Sequence, residues 1–105
     1  MPTTYAIPDG RTVMAATTYS GTGASQSISN AKNGVSFQPD LVWIKDRTAA
    51  NSHRWIDVLR GIPLTLLSNS TTAEVNDATF SISSFNSNGF SVTTSDNSVN
   101  GSSDS

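Results

Sequence analysis

Ser52, His53 and Asp57 fall within one short stretch, NSHRWID, and are the residue types of a hydrolytic triad. A triad needs its members within hydrogen-bond reach of one another. On a strand, His53 and Asp57 share a face but stand roughly 13 Å apart along it. No G-x-S-x-G nucleophile elbow occurs in the chain. His53 is therefore expected to be a strand residue with structural hydrogen bonds. One histidine and no cysteine leave a transition metal almost without ligands. The aspartates at 9, 40, 46, 57, 77, 96 and 104 are scattered, and none belongs to a D-x-D-x-D-G loop. Solvated loop carboxylates are the simpler reading, with calcium held by Asp96, Asp104 and loop carbonyls as the weaker one. Asp40 with Asp46, or Asp46 with Asp57, could form a glycosidase pair. Asp46, however, sits between Lys45 and Arg47, and a solvated ion cluster at a strand end accounts for it more simply. Gly21 and Gly23 form a lone G-x-G without the third glycine or the lysine of a phosphate loop. The expectation is no catalysis, no cofactor and no metal.

Two other groups of residues stand out. Trp43, Trp55, Tyr5 and Tyr19 could stack on sugars, but both tryptophans lie in the most apolar segments, where core packing is the default. Arg60 follows an apolar strand and precedes Gly61, which suggests a partly buried architectural ion pair with Asp57, or with Asp46.

The elements that would position these residues are short and β-like. Ala6 to Gly10 is turn chemistry, and Arg11 to Tyr19 reads as a first strand. SGTGASQS is a Gly/Ser loop, and Asn33-Gly34 signals a hairpin with a short strand entering Phe37. Leu41 to Asp46 is the clearest strand. It is apolar on both faces, as a central strand covered on both sides would be. His53 to Arg60 competes between strand and helix, and strand is favoured because Gly61 and Pro63 follow so soon. Leu64 to Leu67 is a short strand, followed by a polar loop with a turn of helix near Ala73 to Val75. Thr79 to Thr94 alternates as a hairpin turning at Asn88-Gly89. The predicted core is Leu41, Val42, Trp43, Ile44, Trp55, Ile56, Val58, Phe80, Ile82, Phe90 and Val92. The predicted organisation is an arm over 1–10, one β module over 11–94 and a polar tail over 95–105. Asn100-Gly101 would normally send the chain back into another strand, and only four residues follow it. The fold is thus expected to stop short of its last strand, which a longer protein or a neighbouring chain would supply.

Composition bounds the function. A chain of 105 residues makes one domain with one core. Hydrophobic content is 35% and charge 13%, while roughly two-fifths of the residues are Ser, Thr or Asn, which favour turns and strands over helix interiors. A net charge of −2 provides no basic patch, so nucleic acid is not an expected partner. No apolar run approaches the roughly 18 residues of a membrane span, and no secretory signal opens the chain.

The succession YSGTGASQSI, GVSFQPDLVWIKDRTAANSH, DVLRG, LLSNSTTAE and ISSFNSNGFSV, from about Val13 to Asn100, resembles a module of tailed-bacteriophage structural proteins such as tail fibres. The resemblance implies an all-β antiparallel sandwich of jelly-roll or lectin-like type, and it implies no catalytic residues. In that family NGSS leads into a further aromatic strand, which this chain lacks. The functional expectation is a virion structural module, of a tail fibre or appendage, with a role in host attachment. Its partners would be other virion proteins, copies of itself in a homotrimer, and a host-surface glycan. A capsid decoration protein and a lectin-like module are the alternatives. Exposed tryptophans on one loop-lined face would favour the lectin-like reading, and buried ones would count against it.

Overall fold

The structure is a computed structural model and describes residues 9–31, 34–76, 78, 81–93 and 98–102. Among the described residues seven short strands run β1 Gln26–Ser29, β2 Leu41–Ile44, β3 Arg54–Asp57, β4 Leu64–Leu67, β5 Val75–Asn76, β6 Ser84–Asn86 and β7 Gly89–Val92. They form two sheets, β1-β7-β6 and β2-β3-β4-β5, and every pairing is antiparallel. The two sheets enclose Val42, Ile44, Ile56, Ile82, Val92 and Val99, with Tyr19, Phe85 and Phe90 packed against them. The fold is an all-β antiparallel sandwich.

Alternation explains how so few apolar residues suffice. On β2 the inward positions are Val42 and Ile44, and on β3 they are Arg54 and Ile56. Their neighbours Leu41, Trp43 and Trp55 point the other way and are exposed. These three were expected in the core, as was Val58, and the structure corrects all four. β2 is an edge strand rather than a central one, and the outward side chains of the β2–β3 pair remain open to solvent. Val58 is exposed because β3 ends at Asp57 and the chain enters a turn closed by Gly61 N–H to Asp57 O. Phe80, the remaining predicted core residue not yet placed, lies outside the described residues.

The N-terminal stretch differs from expectation as well. Gly10–Thr12 is a turn of 3-10 helix, capped by the Asp9 carboxylate accepting from Arg11 N–H, and no paired strand follows through Tyr19. The first paired strand comes later, in SQSIS, where a loop was expected. The helical turn near Ala73 is instead the extended pair Val75–Asn76. In the β6–β7 hairpin, Asn86 pairs with Gly89, so the loop residues are Ser87 and Asn88. A Cβ on Gly89 would sit 1.9 Å from Ile28 O. That glycine is required by the approach of β1 more than by the turn itself.

The stretch 98–101 packs against the 21–26 segment. Ser98, Val99, Asn100 and Gly101 are buried. The fully buried Asn100 side chain accepts from Thr22 N–H at 3.1 Å and Gln26 Nε2 at 2.5 Å, and donates to Ala24 O at 2.8 Å. Its carbonyl accepts from Gly23 N–H at 2.8 Å. A Cβ on Gly21 would fall 1.9 Å from Gly101 O, so this seam needs glycine at 21. The inward Arg54 is held by Ser98, whose hydroxyl accepts from Nε at 3.0 Å.

Candidate binding site

Trp43 on β2 and Trp55 on β3 are direct cross-strand partners. Their rings meet edge to face, with centroids 6.0 Å apart and planes at 89°. His53, one residue before β3, places its ring 6.4 Å from that of Trp43. Trp43 remains 61% exposed and Trp55 37%. A cross-strand aromatic pair contributes about 0.5–1.5 kcal/mol beyond area burial, so the pair also supports the sheet.

The loop after β4 borders this aromatic corner. Ser68 N–H donates to His53 O at 3.1 Å, and His53 N–H donates to Asn69 Oδ1 at 3.2 Å. Within the loop the Ser70 and Thr72 hydroxyls lie 2.7 Å apart, and Thr72 N–H donates to Ser70 Oγ at 3.1 Å. An open depression of about 520 Å³ lies between Trp43, His53, Trp55, Leu66 and Leu67 on one side and the 68–72 loop on the other. Its lining holds hydroxyls, an amide and an imidazole, but no carboxylate, lysine or arginine. Sequence reasoning singled out the tryptophans and missed the loop. The usable signal was its position: SNSTT follows LTLL directly, and an antiparallel β4 returns it to the start of β3.

A second, larger groove of about 910 Å³ runs between residues 12–19 and β2. It is mostly apolar and opens toward the core at Ile28, Phe90 and Val99. Tyr19 borders it and donates from its hydroxyl to Val99 O at 2.5 Å. Burial, and after it the Asp46 carboxylate, push the Tyr19 hydroxyl up to about 12.

Of the charged residues after β2, Lys45 and Arg47 are exposed as expected, but Asp46 is not part of a solvated cluster. Asp46 is buried, covered by the loop it closes. Its Oδ1 accepts from Thr48 N–H at 2.8 Å, Thr48 Oγ1 at 2.7 Å and Ala49 N–H at 3.3 Å, and its Oδ2 accepts from Asn51 Nδ2 at 2.6 Å. Burial alone would raise this carboxyl, but the hydrogen bonds from Thr48, Asn51 and Ala49 outweigh it and hold the group below the ordinary carboxylate range. The Lys45 ammonium donates to Asp46 O. Asp46 is thus a loop-closing residue, committed to neutral donors.

Asp57 and Arg60 do pair, with Arg60 Nε 3.0 Å from Asp57 Oδ2, and Arg60 NH1 also reaches Glu74 Oε2 at 2.7 Å. Hydrogen bonding to Glu74 leads the causes that raise Arg60 further. The network is more exposed than expected, and exposed pairs contribute little to stability. His53 and Asp57 fall at opposite ends of β3, one against Trp43 and the other on Arg60, so no triad is assembled. Among the described residues no cluster of three or more His, Cys, Asp or Glu could hold a metal ion, and no helix is long and apolar enough to cross a membrane. Tyr5, Asp77, Asp96 and Asp104 lie outside the described residues.

Together these features define a small antiparallel β-sandwich with an exposed aromatic face beside a hydroxyl-rich loop. Residues 9–105 match the family model described as a Domain of unknown function (DUF7483), and the chain belongs to that family. No curated protein and no solved structure matches it.

Proposed function

We propose that this domain is a non-enzymatic structural module of a tailed-bacteriophage virion, carried on a tail fibre or related appendage, and that it contacts the host surface through the Trp43–Trp55 face. The virion setting rests on the sequence resemblance. The attachment role rests on one observation, the exposure of both tryptophans on a single face beside the 68–72 loop. Soluble domains seldom leave adjacent large aromatics open without a use for them, and tryptophan is enriched where proteins bind. Other virion proteins and further copies of the chain are the assembly partners in this reading, with a homotrimer as the arrangement. A small, polar domain gains stability from such association.

The test is immunogold labelling of intact particles with an antibody raised against residues 1–105, together with adsorption of particles carrying Trp43→Ala. Gold on the tail or its fibres, with adsorption reduced at least tenfold, supports the proposal. Gold spread over the head would make the domain a capsid decoration and overturn the attachment role.

A further inference from the structure

We propose that the corner formed by Trp43, Trp55 and His53, closed on one side by the 68–72 loop, is a binding site for an uncharged hexose unit of a glycan; this rests on the attachment reading and names its ligand. Three observations carry it. The first is geometric. Two indoles at 89° make a floor and a wall instead of a flat apolar patch. A pyranose ring has an apolar C–H face that stacks on an indole and a rim of hydroxyls that need polar partners. The second is the chemistry of the border. Ser68, Asn69, Ser70, Thr71 and Thr72 bring hydroxyls and an amide, groups that both donate and accept, as a sugar hydroxyl does. A mostly apolar wall with a few convergent polar groups is the usual composition of a small-ligand pocket. About 520 Å³ is within the usual size of such a site.

The third observation is charge. No lysine, arginine or carboxylate lines the corner. Arg54, on the neighbouring strand position, points inward to Ser98. Arg60 is occupied by Asp57 and Glu74. Lys45, exposed two positions beyond Trp43, lines the neighbouring groove and donates to Asp46 O. A sialylated or uronic-acid sugar, a phosphate or an acidic peptide would thus meet no counter-ion in the lining of the corner, which favours neutral sugars. A protein partner fits less well, because specific protein interfaces bury about 800 Å² per side, and this corner is bounded within a few residues of β2, β3 and one loop.

Wild-type protein is titrated with a panel of uncharged oligosaccharides of glucose, galactose and mannose, and with sialylated and uronate counterparts. The readout is the pair of indole N–H signals in the NMR spectrum, one from each tryptophan of the chain. At least one uncharged oligosaccharide is expected to move both signals saturably, and its anionic counterpart to bind at least tenfold more weakly. Trp43→Ala should weaken binding at least tenfold. Asn69→Ala should weaken it severalfold, and Leu59→Ala, on an exposed turn, should leave it unchanged. Trp43→Phe keeps a ring in place and should retain part of the affinity, which separates loss of stacking from loss of folding. The proposal is overturned if no uncharged oligosaccharide moves either signal at millimolar concentration, if the Trp43 signal moves and the Trp55 signal does not, as binding in the groove along residues 12–19 would give, or if anionic sugars bind as well. Failure here with adsorption still dependent on Trp43 would leave attachment standing with a different partner. Sugar binding with adsorption unaffected by Trp43→Ala would sink the attachment reading and leave the site intact.

Discussion

The two faces of the β2–β3 pair are built from similar apolar residues and do different things. Val42, Ile44 and Ile56 face inward, and Ile56 is wholly buried. Leu41, Trp43 and Trp55, one position away along the same strands, face outward and remain open. Hydrophobicity alone does not separate these sets, since the outward residues are as large as the inward ones or larger. The difference lies in what stands opposite. The inner face meets the β1-β7-β6 sheet and the 98–101 segment, while among the described residues the outer face is bordered by the 68–72 loop and, at Leu41 and Trp43, by the groove along residues 12–19. An aromatic residue in an apolar strand is therefore evidence of burial only once its cover has been found.

That contrast can be broken experimentally, and the largest effect should come from the inner face. Ile56→Ala should destabilise the domain by about 2–5 kcal/mol, the range for removing a large aliphatic side chain from a packed core. Urea unfolding followed by far-UV circular dichroism measures it, and a loss under 1 kcal/mol would mean that the sandwich interior is loosely packed. The second effect concerns the carboxylate that closes the loop after β2. Asp46 titrates lower in the folded chain than in the unfolded one, so its ionised form favours folding. That contribution is complete above pH about 4 and is lost as the pH falls through the lower folded value. Hydrogen bonds to a charged group contribute roughly 1.5–3 kcal/mol, and Asp46→Asn should remove much of the acid sensitivity. Parallel acid-unfolding curves for the two proteins would show that Asp46 carries no such role. The smallest effect is expected on the outer face. Trp43→Ala should lose the roughly 0.5–1.5 kcal/mol of the aromatic pair and a small part-buried area, and cost clearly less than Ile56→Ala. A loss as large as that of Ile56→Ala, read in the same urea series, would make Trp43 a core residue and remove the case for a binding face.

Much of the fold was legible in the sequence, because apolar alternation and Gly/Pro punctuation are local signals. Leu64–Leu67 lies where its pattern puts it, and the strands from Leu41 and Arg54 and the hairpin before Val92 follow the same rules. What failed was non-local. The seam of Asn100 against residues 21–26 pairs segments more than seventy positions apart, and an Asn in a Ser-rich stretch carries no sign of it. The orientation of LVWI was illegible because both of its faces are apolar, so period 2 cannot say which one is covered. Asp46 misled for a related reason. Flanking cations suggested a solvated cluster, whereas its partners are the neutral Thr48, Ala49 and Asn51 downstream. As for the candidate site, sugar stacking was only the less favoured reading of the tryptophans, which were assigned to the core, and their juxtaposition with His53 and the 68–72 loop depends on the register of β2, β3 and β4.

The edge-to-face tryptophan pair has an optical consequence. Two indoles held 6.0 Å apart and nearly perpendicular are coupled chromophores, not independent ones. Their excited states mix, and the mixing produces a couplet of opposite-signed bands in the far-ultraviolet dichroism spectrum. The sign and amplitude of that couplet follow the mutual orientation of the rings, not the strand content. The chain has only these two tryptophans, so the signal belongs to them alone. The outer face thus carries its own gauge: anything that settles on it and turns either ring rewrites the couplet, with no label attached and no change in the sheet beneath.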